Sequence, residues 1–132
     1  MTPLEFFELS EIIDDLKAKS EEGAIIIVEG SKDVAALREL GIGGTIVKAS
    51  SIPTSVIVDK IGARDVIILT DWDRRGELLV RELARKFSSW GITPDVTTRK
   101  RIFALVSKEI TSVENLSSFY FKVEGEIRKG RL

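Results

Sequence analysis

The 132-residue sequence predicts an α/β fold in which about four mainly parallel strands are flanked by helices on both faces. The runs AIIIV (24–28) and DVIILT (65–70) are short, β-branched and apolar throughout rather than alternating, as in strands buried on both faces. Longer stretches with apolar residues at helical spacing lie between and after them. Strands alternating with such stretches need crossover connections, and crossovers join parallel strands.

The elements follow in order. Thr2, Pro3 and Glu5 have the spacing of an N-cap, a first helical position and the third position of a capping box. Leu4, Phe7, Leu9, Ile12, Ile13 and Leu16 continue an amphipathic helix toward Gly23. The first strand ends at Glu29 and Gly30. Ser31 is placed to cap a helix that turns Val34, Leu37 and Leu40 inward and exits at Gly41. A second strand is expected near Thr45–Ala49.

The segment PTSVIVDKIGA (53–63) has strand-favouring Val56, Ile57 and Val58, but Pro53 and Gly62 punctuate it as a helix. Helix is the choice that supplies the required crossover. After the third strand, Asp65–Thr70, a helix is expected from about Arg75 to Trp90. Its inner face is Leu79, Leu83 and Phe87, with Val80 and Ala84 beside them, and Gly91 ends it. A short fourth strand near Asp95–Thr97, a helix in RKRIFALVSKEI, another opened by Thr111 and Glu114, and a loosely held tail VEGEIRKGRL complete the chain. A single domain is expected, with an N-terminal helix (1–23), a core (24–97) and C-terminal helices and tail (98–132).

Composition narrows the chemistry. The chain is 43% hydrophobic and 31% charged, enough apolar content for a real core. Cysteine and histidine are both absent, which removes disulfides, thiolate zinc sites, a cysteine nucleophile and every histidine-based triad. Any metal must therefore sit on oxygen ligands. No stretch approaches the roughly 18 apolar residues of a membrane span, and the acidic N-terminus is unlike a signal peptide, so a cytoplasmic protein without membrane partners is expected. The chain has no Gln, one Asn and abundant Lys, Arg, Glu and Ile, a bias associated with hot environments. Net charge is −1, but residues 1–30 carry eight acids and two bases while residues 71–104 carry five acids and eight bases.

Parallel strands present their carboxyl ends along one edge, and open α/β sheets bind ligands there. Glu29 ends the first strand; Asp71 and Asp73 follow the third. If those strands are neighbours, three carboxylates converge. Two unit charges about 4 Å apart cost roughly 4 kcal/mol at an effective dielectric near 20, and a divalent cation removes that cost. An all-carboxylate donor set suits Mg²⁺, with Mn²⁺ as a substitute, and leaves positions for phosphate oxygens. Metal-assisted phosphoryl or phosphodiester transfer is the chemistry that fits. Gly30 before a helix start, with Lys32, Arg74, Arg75 and Gly76 nearby, completes a set of candidate substrate contacts.

Each residue also has a structural reading. Asp71 or Asp73 alone is an ordinary N-cap or turn former. Glu29 alone is a solvated strand end; Lys32 and Asp33 form a plain first helical turn, with Asp33 balanced between that and substrate binding. Arg74 and Arg75 read as solvated helix-start charges, and Glu77 as a neutraliser of one of them or of the helix N-terminus. Trp72 is open to two readings, a base-stacking platform or a packing residue. Arg99, Lys100 and Arg101 open a helix against the usual dipole preference; they read as a solvated face or as phosphate contacts.

A strand ending VEG with Asp33 beyond it, followed by a strand ending DWDRRGE, resembles the Toprim domain. The likeness covers about Ala24 to Val96. It is nearest to small stand-alone archaeal proteins of that family and to ribosomal-RNA maturation nucleases, relatives of primase and topoisomerase catalytic cores. The resemblance implies a Mg²⁺-dependent acidic site in which Asp71 and Asp73 are metal ligands. Glu29 is then a ligand or general acid/base, and Gly30 and Gly76 are the accompanying glycines.

Those nucleases tend to carry Lys directly after EG, where this chain has Ser31, with Lys32 one step later. They also carry more chain beyond the core, so RNA binding is reduced here or supplied by a protein partner in RNA or DNA processing. A topoisomerase needs a nucleophilic tyrosine on a separate domain, and Tyr120 lies in an expected terminal helix. A primase of this class brings a cysteine zinc ribbon. The expectation is a small nuclease acting on RNA or DNA, with a non-catalytic nucleic-acid-binding or adaptor module as the alternative.

Overall fold

The computed structural model describes residues 1–51, 53–62 and 64–132; Ala63, the last residue of the expected third-helix segment, lies outside them. The described elements run α1 (Pro3–Glu21), β1 (Ile25–Val28), α2 (Ser31–Glu39), β2 (Ile46–Lys48), α3 (Thr54–Ile61), β3 (Val66–Ile68), α4 (Arg74–Ser89), α5 (Thr97–Val106), a 3₁₀ turn (Val113–Asn115) and α6 (Leu116–Arg128). The sheet is parallel in the order β2-β1-β3, with Ile26 opposite both Ile46 and Ile67. The α/β Toprim-like architecture expected from the sequence is therefore present.

Side-chain alternation along the strands builds a core on each face. Ile26 and Val28 of β1, with Ile67 and Leu69, pack under α1, α2 and α5 beside Leu9, Ile13, Leu37 and Ile102. Ile25 and Ile27, with Val66 and Ile68, pack under α3 and α4 beside Ile57, Ile61, Leu83 and Phe87. Each fully buried aliphatic side chain contributes roughly 1.5–3 kcal/mol, which is why β1 and β3 carry no polar residue on either face. The chain enters α1 through the capping box: Thr2 Oγ1 accepts from Glu5 N at 3.1 Å and Glu5 Oε1 from Thr2 N at 2.9 Å. It leaves α2 through Gly41, whose φ of +92° suits only glycine.

Five expectations are corrected. Leu4 and Phe7 are 67% and 58% exposed. The buried face of α1 is Leu9, Ile12, Ile13, Leu16 and Ser20, and at about 100° per residue positions 4 and 7 fall on its far side. Gly30, not Ser31, occupies the N-cap of α2, and Ser31 is the first helical residue. The fourth strand shrinks to one parallel bridge, Asp95 to Ile67. Asp95 also accepts from the backbone N–H groups of Thr97 and Thr98 and from the Thr98 hydroxyl, which starts α5 at Thr97 before a strand can extend. Thr111 caps no helix; a 3₁₀ turn behind Ser112 leads into α6 instead. The tail is helical to Arg128 and anchored by buried Val123.

Candidate active site

The sheet order puts the first and third strands side by side, and the crossover direction reverses between them, the place where open α/β sheets form a ligand crevice. Glu29 and Asp71 meet at that crevice. Asp71 N donates to Glu29 Oε2 at 2.7 Å, joining the two strand ends through one short bond to a carboxylate. Asp73 lies one residue beyond Trp72 at the N-cap of α4, where its Oδ1 accepts from Gly76 N at 2.7 Å. Asp33, buried on the first turn of α2, accepts from Gly30 N at 3.0 Å through Oδ2.

Glu29, Asp33 and Asp73 lie near enough to Asp71 for their charges to act on it, and the titration of Asp71 and Asp33 reports the crowding. Burial pushes Asp71 up to about 7. The Val113 N–H donated to its Oδ1 at 2.8 Å pulls the other way, and the charges of Glu29, Asp33 and Asp73 push further up. Asp33 is raised as well, first by burial and opposed by the Gly30 N–H, with Glu29 and Glu114 adding repulsion.

The loop that carries the aspartates is held from beneath by a residue whose role the sequence hid. Arg99 is 3% exposed. Its guanidinium donates to the carbonyl oxygens of Thr70 (3.0 Å) and Asp71 (2.6 Å) and to Glu77 Oε2 (2.8 Å). Neither a solvated face nor a phosphate contact describes it; Lys100 and Arg101, by contrast, are exposed. Glu77 is structural as expected, but its partners are Arg99 and Arg81. The Arg99 hydrogen bond holds its carboxyl below the usual range.

Thr70 Oγ1 donates to Gly76 O at 2.8 Å. A Cβ at Gly76 would collide with the Asp71 carbonyl, so only glycine closes this turn. Trp72 is buried: its backbone N–H donates to Thr111 O (3.1 Å), its indole N–H to Ile110 O (2.6 Å), and its ring meets Phe103 edge-on. It packs, with 6% of its surface exposed. The signals that pointed here were the basic start of α5 and the run of turn formers before α6, neither of which named a partner.

The remaining candidates ring the crevice. Gly30 is extended, and a Cβ there would meet nothing within 4 Å, so the space above it is open. Lys32 is exposed and makes no ion pair among the described residues. The cation that reaches the first acidic loop is Lys48, whose Nζ lies 3.2 Å from Ser31 Oγ. Its place at the carboxyl end of the second strand, on the same sheet edge, was the available signal. Arg74 and Arg75 are exposed and, with Glu29, line a cavity of about 650 Å³ on the α4 flank.

The donor chemistry fits a hard cation. Glu29, Asp71 and Asp73 each commit one oxygen to a backbone N–H, and the hydrogen bonds among the described residues leave the other oxygen of each. Among the described residues no three acidic side chains close into a ready-made metal cage. Mg²⁺ keeps several waters and needs only one or two direct carboxylates, so an open acidic crevice suits it.

This sheet, its reversal point and its strand-end acids define a Toprim domain, and the Toprim domain model matches residues 24–105; the chain belongs to that family. Toprim domains generally bind Mg²⁺, and the family links the chain to metal-dependent chemistry on nucleic acids. Among its relatives is an Archaeoglobus fulgidus protein named "UPF0292 protein", 43% identical over 87% of this chain and 91% of its own length. The "UPF0292 protein MJ1624" of Methanocaldococcus jannaschii is 38% identical over 89% of this chain and 94% of its own. These relatives are small archaeal proteins, largely from heat-loving species. A solved structure of an Aquifex aeolicus protein superposes with a TM-score of 0.69 at 31% identity, covering 81% of this chain and 96% of that one. No described helix is long and apolar enough to cross a membrane.

Proposed function

We propose that the chain is a small Mg²⁺-dependent nuclease acting on RNA or DNA, with Glu29, Asp71 and Asp73 as its reactive carboxylates. The observation that carries this reading is the Glu29–Asp71 junction: the Asp71 backbone N–H donates to Glu29 Oε2 at 2.7 Å, and burial, with the charges of Glu29, Asp33 and Asp73 added to it, pushes the Asp71 carboxyl up to about 7. A fold gains nothing from such crowding unless a cation relieves it.

Asp71, Asp73 and Glu29 are the residues that would hold Mg²⁺ or Mn²⁺, which when bound supplies Lewis-acid polarisation of a phosphoryl oxygen. Glu29 keeps one oxygen free of the Asp71 backbone, placed to take a proton from the attacking oxygen or return one to the leaving oxygen. Arg74 and Arg75 bind phosphate oxygens, and the open space over Gly30 admits the sugar-phosphate backbone. Arg99 touches no substrate; it positions the Asp71 carbonyl and thereby the loop.

Cleavage of a structured RNA and of single-stranded DNA, measured with Mg²⁺, Mn²⁺ or chelator, tests the site. Asp71→Asn keeps the oxygen that accepts from Val113 N and loses the charge, so cleavage should fall at least about 100-fold. Unchanged cleavage in the variant rejects the site. Tight nucleic-acid binding with no metal-dependent cleavage in the wild type assigns the chain to the non-catalytic adaptor class.

A further inference from the structure

Two exposed apolar side chains stand on either side of the acidic loop, Leu78 with no aromatic or polar partner among the described residues and Phe103 with one edge against the Trp72 ring. Leu78 on α4 is 57% exposed and lines the 650 Å³ cavity with Arg75 and Ser50. Phe103 on α5 is 41% exposed and lines a second cavity of about 360 Å³ with Lys100 and Asp73. Arg74 lines both, so the two hollows adjoin across the start of α4, directly beside the carboxylates. Arg74, Arg75 and Lys100 are exposed and, among the described residues, pair with no acid.

We infer that these hollows form one track for single-stranded nucleic acid, in which bases rest on Leu78 on one side of the reactive acids and on Phe103 on the other, while Arg74 carries the phosphate between them. The inference builds on the proposed function and adds the form of the substrate. Charge alone cannot hold a strand here, because the chain is net −1 and the three unpaired cations of the track share its walls with Glu29, Asp73, Glu77 and Glu82. Three phosphate contacts give a salt slope of only roughly −2 on a single strand. The rest of the affinity must come from base faces on apolar platforms, a contribution that each base can make. A duplex keeps its base faces stacked inside and presents none to Leu78 or Phe103. Both cavities are hollows rather than a flat basic surface, which again favours splayed bases over a rigid helix.

Fluorescence anisotropy in chelator, with a labelled 12-nucleotide strand as RNA and as DNA and with the matching blunt duplexes, separates binding from cleavage. Both single strands should bind about tenfold or more tighter than their duplexes, and the RNA and DNA arms show which sugar the track prefers. Phe103→Ser and Leu78→Ser should each weaken single-strand binding about tenfold and leave duplex binding unchanged. Lys100→Glu, on the solvent face of α5, should weaken it with a salt slope shallower by about one. Equal affinity for duplex and single strand, or wild-type binding by the Leu78 and Lys100 variants, overturns the track. Asp71→Asn keeps the two proposals apart: cleavage lost in that variant with wild-type binding by the track variants sinks only the track. Single-strand preference without any metal-dependent cleavage sinks only the nuclease.

Discussion

The two acidic loops at the crevice are built to different standards. The first, Glu29–Asp33, rests on one internal side-chain bond, Gly30 N to Asp33, on Lys48 at the Ser31 hydroxyl, on a long bond of 3.4 Å from Ser50 N to the Glu29 carbonyl, and on Glu29 reaching across to Asp71 N. The second, Asp71–Glu77, is fastened by Arg99 on two carbonyls, by Thr70 and Asp73 on Gly76, and by two bonds from Trp72. The second loop is the fixed frame, and the first is set against it through a single carboxylate.

Removing the fastening should show this asymmetry most strongly at Arg99. Arg99→Met strips two backbone carbonyls and Glu77 of a buried guanidinium, and should lower unfolding free energy by about 3–5 kcal/mol in urea titration. The glycines give a sharper contrast. Gly76→Ala drives a methyl into the Asp71 carbonyl and should cost about 1–3 kcal/mol or more, whereas Gly30→Ala, with open space and extended backbone, should stay within about 0.5 kcal/mol.

The stability effect at Asp71 has the opposite sign. Its folded pKa near 7 lies above the unfolded value of 3.8, so the folded state holds the extra proton. This contribution is fully present below pH 4 and is lost as pH rises through 7. Three units correspond to roughly 4 kcal/mol, which solvent screening of a half-buried group cuts to about 1–2 kcal/mol. Asp71→Asn should therefore melt higher than the wild type at pH 8 and equal to it at pH 4, a pattern that thermal melts in chelator read directly.

The parts legible in the sequence were those governed by local pattern. Buried β-branched runs located the strands, and apolar spacing with Gly and Pro punctuation located the helices, including the ambiguous one after Pro53. Parallel-edge geometry put Glu29 and Asp71 on one edge of the sheet, but that their strands are neighbours came only with the strand order β2-β1-β3. The residues that escaped depend on which distant segment arrives. Arg99 looks like any basic residue at a helix start until α5 docks under Thr70 and Asp71. Trp72 is a platform or a packing residue depending on where the Ile110 carbonyl sits. Leu4 and Phe7 fit a helical spacing but not the face that α1 turns inward, which only the rest of the core decides.

The bond from Val113 to Asp71 spans 42 residues of chain. During synthesis both acidic loops emerge well before that partner, so the carboxylates first meet with one of their compensating donors still unmade. Their final arrangement waits for the last quarter of the polypeptide to fold back, which makes the most charged point of the molecule a late-assembling one.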